Sequence, residues 1–167
     1  MYNPTTKRFE NESFQDSPYQ VRSFIGCGHI LHRQNFLSLG GYSEQLVHQG
    51  EEMDIAARGF QKGLYCYHFP TLKIHHTASE VGRNWHRMDY YGARNNILWN
   101  DWFVPSSIKG IKQMRTSVSR SALACKVRRA GQFQGMLDGF KSISNYKKKR
   151  ESMDMTTYKH WNRLPVR

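Results

Sequence analysis

Residues 40–76 constrain the fold of this chain more than any other stretch. A glycine doublet, Gly40-Gly41, precedes the acids Glu51, Glu52 and Asp54, which open a helical pattern closed by Gly63; apolar runs then flank Pro70 and end at His75-His76. Ile55, Ala56, Gly59 and Phe60 recur at helical steps on one face. That spacing predicts a helix over 51–62, with its acids in the first turn, where the helix dipole favours negative charge. The aromatic and β-branched residues of 64–69 and 71–75 predict a strand and its continuation past a bend at Pro70.

The remaining chain is organised around this span. Residues 1–22 are polar, carry Pro4 and Pro18 and lack a sustained period, which predicts an extended connector. Residues 23–33, apolar around Gly26-Cys27-Gly28, suit a strand or a buried turn where backbone comes close to another group. A short helix is expected over 34–39, ended by Gly40-Gly41. Met88, Tyr91, Asn95, Leu98 and Trp102 step by three or four through 83–102, predicting a second, longer helix with a basic outer face. From Pro105 onward Lys and Arg alternate with apolar positions, giving two amphipathic helices broken near Gly131. A polar end segment follows from Lys147-Lys148-Lys149-Arg150 and finishes with Tyr158, Trp161 and Leu164. The expected divisions are 1–22, 23–104 and a basic helical tail over 105–167, within the single core that 167 residues can bury.

Charge and cysteine usage narrow the setting. Lys and Arg outnumber Asp and Glu by 25 to 13, a net charge of +12, so phosphates, nucleic acid or an anionic membrane face are the natural partners. Cys27, Cys66 and Cys125 are widely spaced and odd in number, which argues against a disulfide framework and fits a reducing cytosol. No run approaches the ~20 apolar residues of a spanning helix, and residues 1–10 hold no apolar signal core. The expectation is a cytoplasmic protein, peripheral at most on the inner face of a membrane.

The residues that carry chemistry each have a plain structural reading beside the functional one. Glu51 and Glu52 suit removal of a proton from an attacking hydroxyl, yet first-turn acids ordinarily just complement a helix dipole. His75 and His76 offer imidazoles to a divalent ion, though neighbours on a strand point to opposite faces, so one of them at most faces a given site. A histidine at a strand end is more often a hydrogen-bonded structural residue. None of the others, His29, His32, His48, His68, His86 or His160, shows ligand spacing. Arg83, Arg87 and Arg94, with Tyr90, Tyr91, Asn95 and Asn96, supply donors for phosphate and sugar oxygens, or simply form a solvated face above aromatic anchors. Basic residues interleaved with aromatics permit RNA binding, but no aromatic platform or glycine clamp accompanies them, so nucleic acid is not the favoured partner.

As an ordered set these residues resemble the acceptor-side half of an inverting family 2 glycosyltransferase with the nucleotide-diphospho-sugar transferase fold. The resemblance covers residues 24–99. Gly26-x-Gly28 and Arg33 before Gly40-Gly41-Tyr42-Ser43-Glu44 are similar to the family's glycine-rich acceptor segment and its Gly-Gly-Phe-Asp-Glu pattern. Gly50-Glu51-Glu52-Met53-Asp54-Ile55 with Arg58 resembles its Glu-Asp-x-Asp-Leu motif, whose second acid is the base; that implies Glu52, one methylene longer than the commoner Asp, with Glu51 and Asp54 as alternatives. Pro70 and His76 match the strand proline and the histidine that in some members helps hold the metal on the nucleotide diphosphate. Arg94-Asn95 resembles the Arg-Asn pair near the following helix, and Gly26, Gly28, Gly40, Gly41, Arg83, Arg87, Arg94 and Asn95 are the implied substrate-binding set.

A complete family member also has a Rossmann-like half that holds the nucleotide and carries an Asp-x-Asp metal motif. Neither is present in this sequence, and Met1-Tyr2-Asn3-Pro4 is similar to the segment just beyond that motif. The resemblance therefore implies an α/β fold that is partial, lacking its N-terminal nucleotide-binding half and extended by the basic α-helical tail. The expected activity is transfer of a sugar from a nucleotide-diphospho-sugar to an acceptor hydroxyl, with Mn or Mg on the leaving diphosphate, in polysaccharide or cell-envelope synthesis. Activity is expected only when a nucleotide-binding half completes the site. The alternative is a non-catalytic basic module that binds RNA or an anionic membrane surface; binding that survives deletion of residues 24–99 would favour it.

Overall fold

The computed structural model describes residues 2–3, 8–9, 17–77, 82, 84–149 and 151–166. The chain is mostly helical. Among the described residues the strands form two antiparallel pairs: β1 (Tyr2–Asn3) with β2 (Arg8–Phe9), and β3 (Tyr19–Val21) with β4 (Cys66–His68), in register Tyr19↔His68 and Val21↔Cys66. No parallel sheet occurs among the described residues. Between β3 and β4 lie α1 (Arg33–Ser38) and α2 (Glu51–Gln61); after β4 come α3 (Trp85–Phe103), α4 (Ser106–Val127), α5 (Gly131–Ser142), a 3-10 turn (Ile143–Lys149) and α6 (Met155–Arg163).

The helices follow the apolar periods closely, and the strands do so only in part. Residues 71–75, expected to continue a strand, make none, and residues 23–32 are irregular, with bends at 26–28, until α1 begins at Arg33. Ile74 is exposed, so this segment has no buried face to fix a register. The connector, by contrast, is tied down at its end. Val21 is buried on β3, the Arg22 N–H donates to the Pro165 carbonyl at 2.8 Å, and its guanidinium donates to Asn162 Oδ1 at 3.2 Å.

The main core joins the acidic helix to the C-terminal tail. Ala56, Ala57 and Phe60 of α2 pack with Leu98, Trp102 and Phe103 of α3 and with Met153, Tyr158 and Trp161 in or just before α6. The Phe60 ring stands edge-on to Trp161 at 5.2 Å, and Trp99 stacks on Trp161 at 6.3 Å. Helix α6 begins where the Asp154 carboxylate accepts from the Thr156 and Thr157 N–H groups at 2.8 and 2.9 Å. The Thr157 hydroxyl first, then its N–H, holds the Asp154 carboxyl below the usual range. The polar end segment is thus part of the core.

A second contact joins α3 to α5. Gly131, Gly135 and Gly139 recur every four residues and so share one face of α5. Cβ atoms built there would lie 2.7 Å from the His86 carbonyl oxygen, 2.0 Å from that of Tyr90 and 2.9 Å from that of Arg94. The α5 backbone therefore lies directly on α3, with Ala93, Ile97 and Met136 filling the seam. Helix α4 is attached to α3 by polar contacts, Asn100 Nδ2 to Thr116 Oγ1 at 2.8 Å and Gln113 Nε2 to the Ile97 carbonyl at 2.9 Å. It buries only Gln113 and Ala124.

Candidate functional site

The acidic start of α2 is held in place by its own preceding loop. Gly50, at the N-cap, has φ +99°, a conformation open to glycine at no steric cost, and Gln49 before it has φ +64°. Both are docked on α3. The Asn95 amide donates to the His48 and Gln49 carbonyls at 2.8 and 2.6 Å; Arg94 donates to the Gln45 carbonyl at 2.8 Å and pairs with Asp138 at 2.7 Å. Gly92 leaves room for Gln49, whose Oε1 would lie 2.6 Å from a Cβ at that position. Arg94 and Asn95, expected from resemblance to bind substrate, here fix the loop that delivers the acids.

The three acids have three different environments. Asp54 is buried and accepts from Arg58 Nη2 at 2.5 Å and Nε at 3.0 Å. Arg58 also donates to the carbonyls of Leu39 and Gly41, the latter at 2.8 Å, so the pair clamps the Gly40-Gly41 turn against α2. Glu52 instead reaches the Gly26–Gly28 loop. Its Oε1 would lie 2.5 Å from a Cβ on Gly26, so the carboxylate occupies the space that a side chain there would need. Glu51 Oε2 is shut off from solvent with no hydrogen-bond donor among the described residues, an arrangement that buried acceptors rarely show.

Two side chains complete the cluster. His29 Nδ1 donates to the Gly26 carbonyl at 2.8 Å, since a carbonyl can only accept, and its Nε2 shares a hydrogen bond with the Tyr42 hydroxyl at 3.0 Å. Burial raises the Tyr42 hydroxyl pKa, and the negative charges of Glu52 and then Glu51 raise it further. A loop carbonyl, an imidazole, a phenol and the Glu52 carboxylate therefore converge beside Gly26. Sequence reasoning passed over His29 for want of metal-ligand spacing. The available signal was its position three residues after Gly26, the reach of a side chain folding back on its own turn.

The other expected positions lie around this cluster. Gly28 is covered by Ile74, whose Cδ1 would lie 2.1 Å from a Cβ there, so the segment bearing His75 and His76 crosses the Gly26–Gly28 loop. Both histidines are exposed. Arg87 is also exposed, with its guanidinium 5.9 Å from the Tyr91 ring centre. Arg83 lies outside the described residues. Among the described residues no three His, Cys, Asp or Glu side chains are grouped so as to hold a metal, and no helix is long and apolar enough to cross a membrane.

The Asp54–Arg58 clamp makes a stability prediction. Asp54→Asn keeps an acceptor but removes the charge that Arg58 faces, and should cost about 1–2 kcal/mol in urea unfolding. An unchanged midpoint would remove the pair from the support of the Gly40-Gly41 turn. Comparison with known proteins gives no match: neither a family model, nor a curated protein, nor a solved structure is significantly similar to the chain.

Proposed function

We propose that this chain is the acceptor-binding, proton-removing half of an inverting family 2-like glycosyltransferase, acting with a nucleotide-binding half of the nucleotide-diphospho-sugar transferase fold. The observation that carries the reading is the meeting of Glu52 with the Gly26 loop, where Oε1 stands in the space of a missing side chain. The absence of a side chain at Gly26 lets the carboxylate sit against the loop backbone, where a hydroxyl bound along that loop would meet it. Glu52 is the base, since Asp54 is engaged by Arg58. The His29–Tyr42 pair borders the acceptor as a hydrogen-bonding wall. In the reaction the acceptor oxygen bonds to the anomeric carbon as the bond to the nucleoside diphosphate breaks, and the hydroxyl proton passes to Glu52. Mn or Mg, when bound, neutralises charge on the diphosphate.

The exposed imidazole of His76 fits a ligand that completes a shell supplied mainly by diphosphate and by the other half. In the assembled enzyme, His76→Ala is expected to raise the manganese concentration for half-maximal activity roughly 10- to 100-fold, with a smaller effect from His75→Ala. Equal metal dependence in His76→Ala and the parent removes His76 from the site.

The test of the function is transfer from a panel of nucleoside-diphosphate sugars to carbohydrate acceptors, with the chain joined to a family 2 nucleotide-binding half that carries Asp-x-Asp. Turnover that requires both parts supports the reading. No turnover with any donor, together with no saturable carbohydrate binding by the chain alone, overturns it.

A further inference from the structure

Helix α4 has an outer side that none of the described residues covers. Ile111, Met114 and Val118 are 59%, 62% and 65% exposed, and their spacing puts them on one narrow strip. Phe133, Leu137 and Phe140 form a similar exposed strip on α5. Arg115 borders the α4 strip and Lys112 lies on the next face of the helix, and no ion pair occurs for either among the described residues. With Arg120, Thr116, Ser119 and Asn96 they line an open groove of about 270 Å³. Residues 105–137 contain no Asp or Glu at all.

We infer that α4 is a docking surface for a bilayer containing anionic phospholipid, lying in the plane of the headgroups with Ile111, Met114 and Val118 inserted and Lys112 and Arg115 at the phosphates. Charge complementarity selects the anionic surface: Arg115 flanks the strip, the long Lys112 side chain reaches toward the same phosphates from the next face, and no acid lies anywhere in residues 105–137 to oppose them. The aliphatic strip selects lipid over a soluble polyanion. An RNA or a free phosphate would engage the cations and leave Met114 and Val118 in water, and α4 carries no aromatic ring on which a base could stack. A helix with an apolar strip bordered by basic residues, and too polar to cross the bilayer, is the form that lies on it. The inference is independent of the role of Glu52.

The experiment is vesicle flotation of the unaltered chain at physiological salt, comparing phosphatidylcholine vesicles with vesicles containing about one third phosphatidylglycerol. Binding is expected only to the anionic vesicles and should weaken as salt rises. Lys112→Gln/Arg115→Gln should lower the affinity about 30-fold, the equivalent of ~1 kcal/mol per basic residue. Met114→Gln/Val118→Gln, which keeps every charge, should lower it about 10-fold or more. These side chains face water, so unchanged thermal unfolding of the variants verifies their fold, and the salt titration of the unaltered chain tests the idea without any variant. Equal binding to both vesicle types overturns the proposal, as does anionic binding that Met114→Gln/Val118→Gln leaves intact. So does absence of vesicle binding with self-association that the same variant abolishes, which would make a second copy the occupant.

Discussion

Gly135→Ala should destabilise the protein by about 2–3 kcal/mol, whereas Gly110→Ala, an identical change in the next helix back, should stabilise it by up to ~1 kcal/mol. Both glycines are helical, so on helix propensity alone each substitution favours the folded state. Surroundings separate them. A Cβ at Gly110 meets nothing within 4 Å, while at Gly135 it would lie 2.0 Å from the Tyr90 carbonyl oxygen, 2.8 Å from its carbon and 3.0 Å from its Cα. Those atoms belong to the backbone of α3 and cannot turn aside as a side chain would. The helices must part, opening the seam at Ala93, Ile97 and Met136 and losing close-packed contact along its length. Because whole-domain stability is ordinarily ~5–15 kcal/mol, the loss is a large fraction of it. Urea unfolding of both variants decides the matter, and a Gly135→Ala midpoint at or above the parent's would mean that α3 and α5 do not touch through backbone. Loosening should also reach the acidic helix, since Arg94, one turn beyond Tyr90 on α3, holds the loop before it.

That seam was written in the sequence at a spacing of four, yet periodicity arguments look for large apolar residues, and a contact made by absent side chains leaves no apolar signal. Trp161 and Tyr158 escaped for a related reason. They lie three residues apart in a nine-residue helix among Thr, Lys, His, Asn and Arg, too short a window for a period to stand out, although Asp154 three residues before Thr157 was a readable helix start. The helices α2 and α3 were legible because each keeps its apolar period for its full length and α2 is closed by glycine. Residues 71–75 were misread because β propensity reports fit to a half-buried pleat, and no such pleat exists for them to join. At the site, the acidic motif named three candidate carboxylates. Their division of labour depends on carbonyls at Leu39 and Gly41 and on the missing side chain of Gly26, whose space Glu52 takes, all distant in sequence from α2, so no local pattern encodes it.

Glu52→Gln should lower the turnover of the assembled transferase roughly 100-fold or more while leaving acceptor and donor KM nearly unchanged. The amide preserves the length and shape of the side chain beside Gly26 and can still hydrogen-bond a hydroxyl, so ground-state binding persists. What it lacks is a site for the proton released as the new glycosidic bond forms. A loss of two decades in turnover corresponds to about 2.7 kcal/mol in the barrier, the usual size for removal of a general base. The neighbouring acids act as internal controls because their surroundings differ. Asp54→Asn perturbs the Arg58 clamp, so its main effect should be on unfolding, and any loss of activity should come with lowered stability. Glu51→Gln changes a carboxylate whose Oε2 meets no donor among the described residues, and should alter turnover less than Glu52→Gln does. Steady-state kinetics of the three variants, each with its unfolding midpoint, separate proton removal from positioning. If Glu52→Gln keeps parental turnover and Glu51→Gln loses it at unchanged stability, the proton goes to Glu51. The Gly26 contact would then be packing, and the acceptor would have to lie on the other side of the α2 N-terminus.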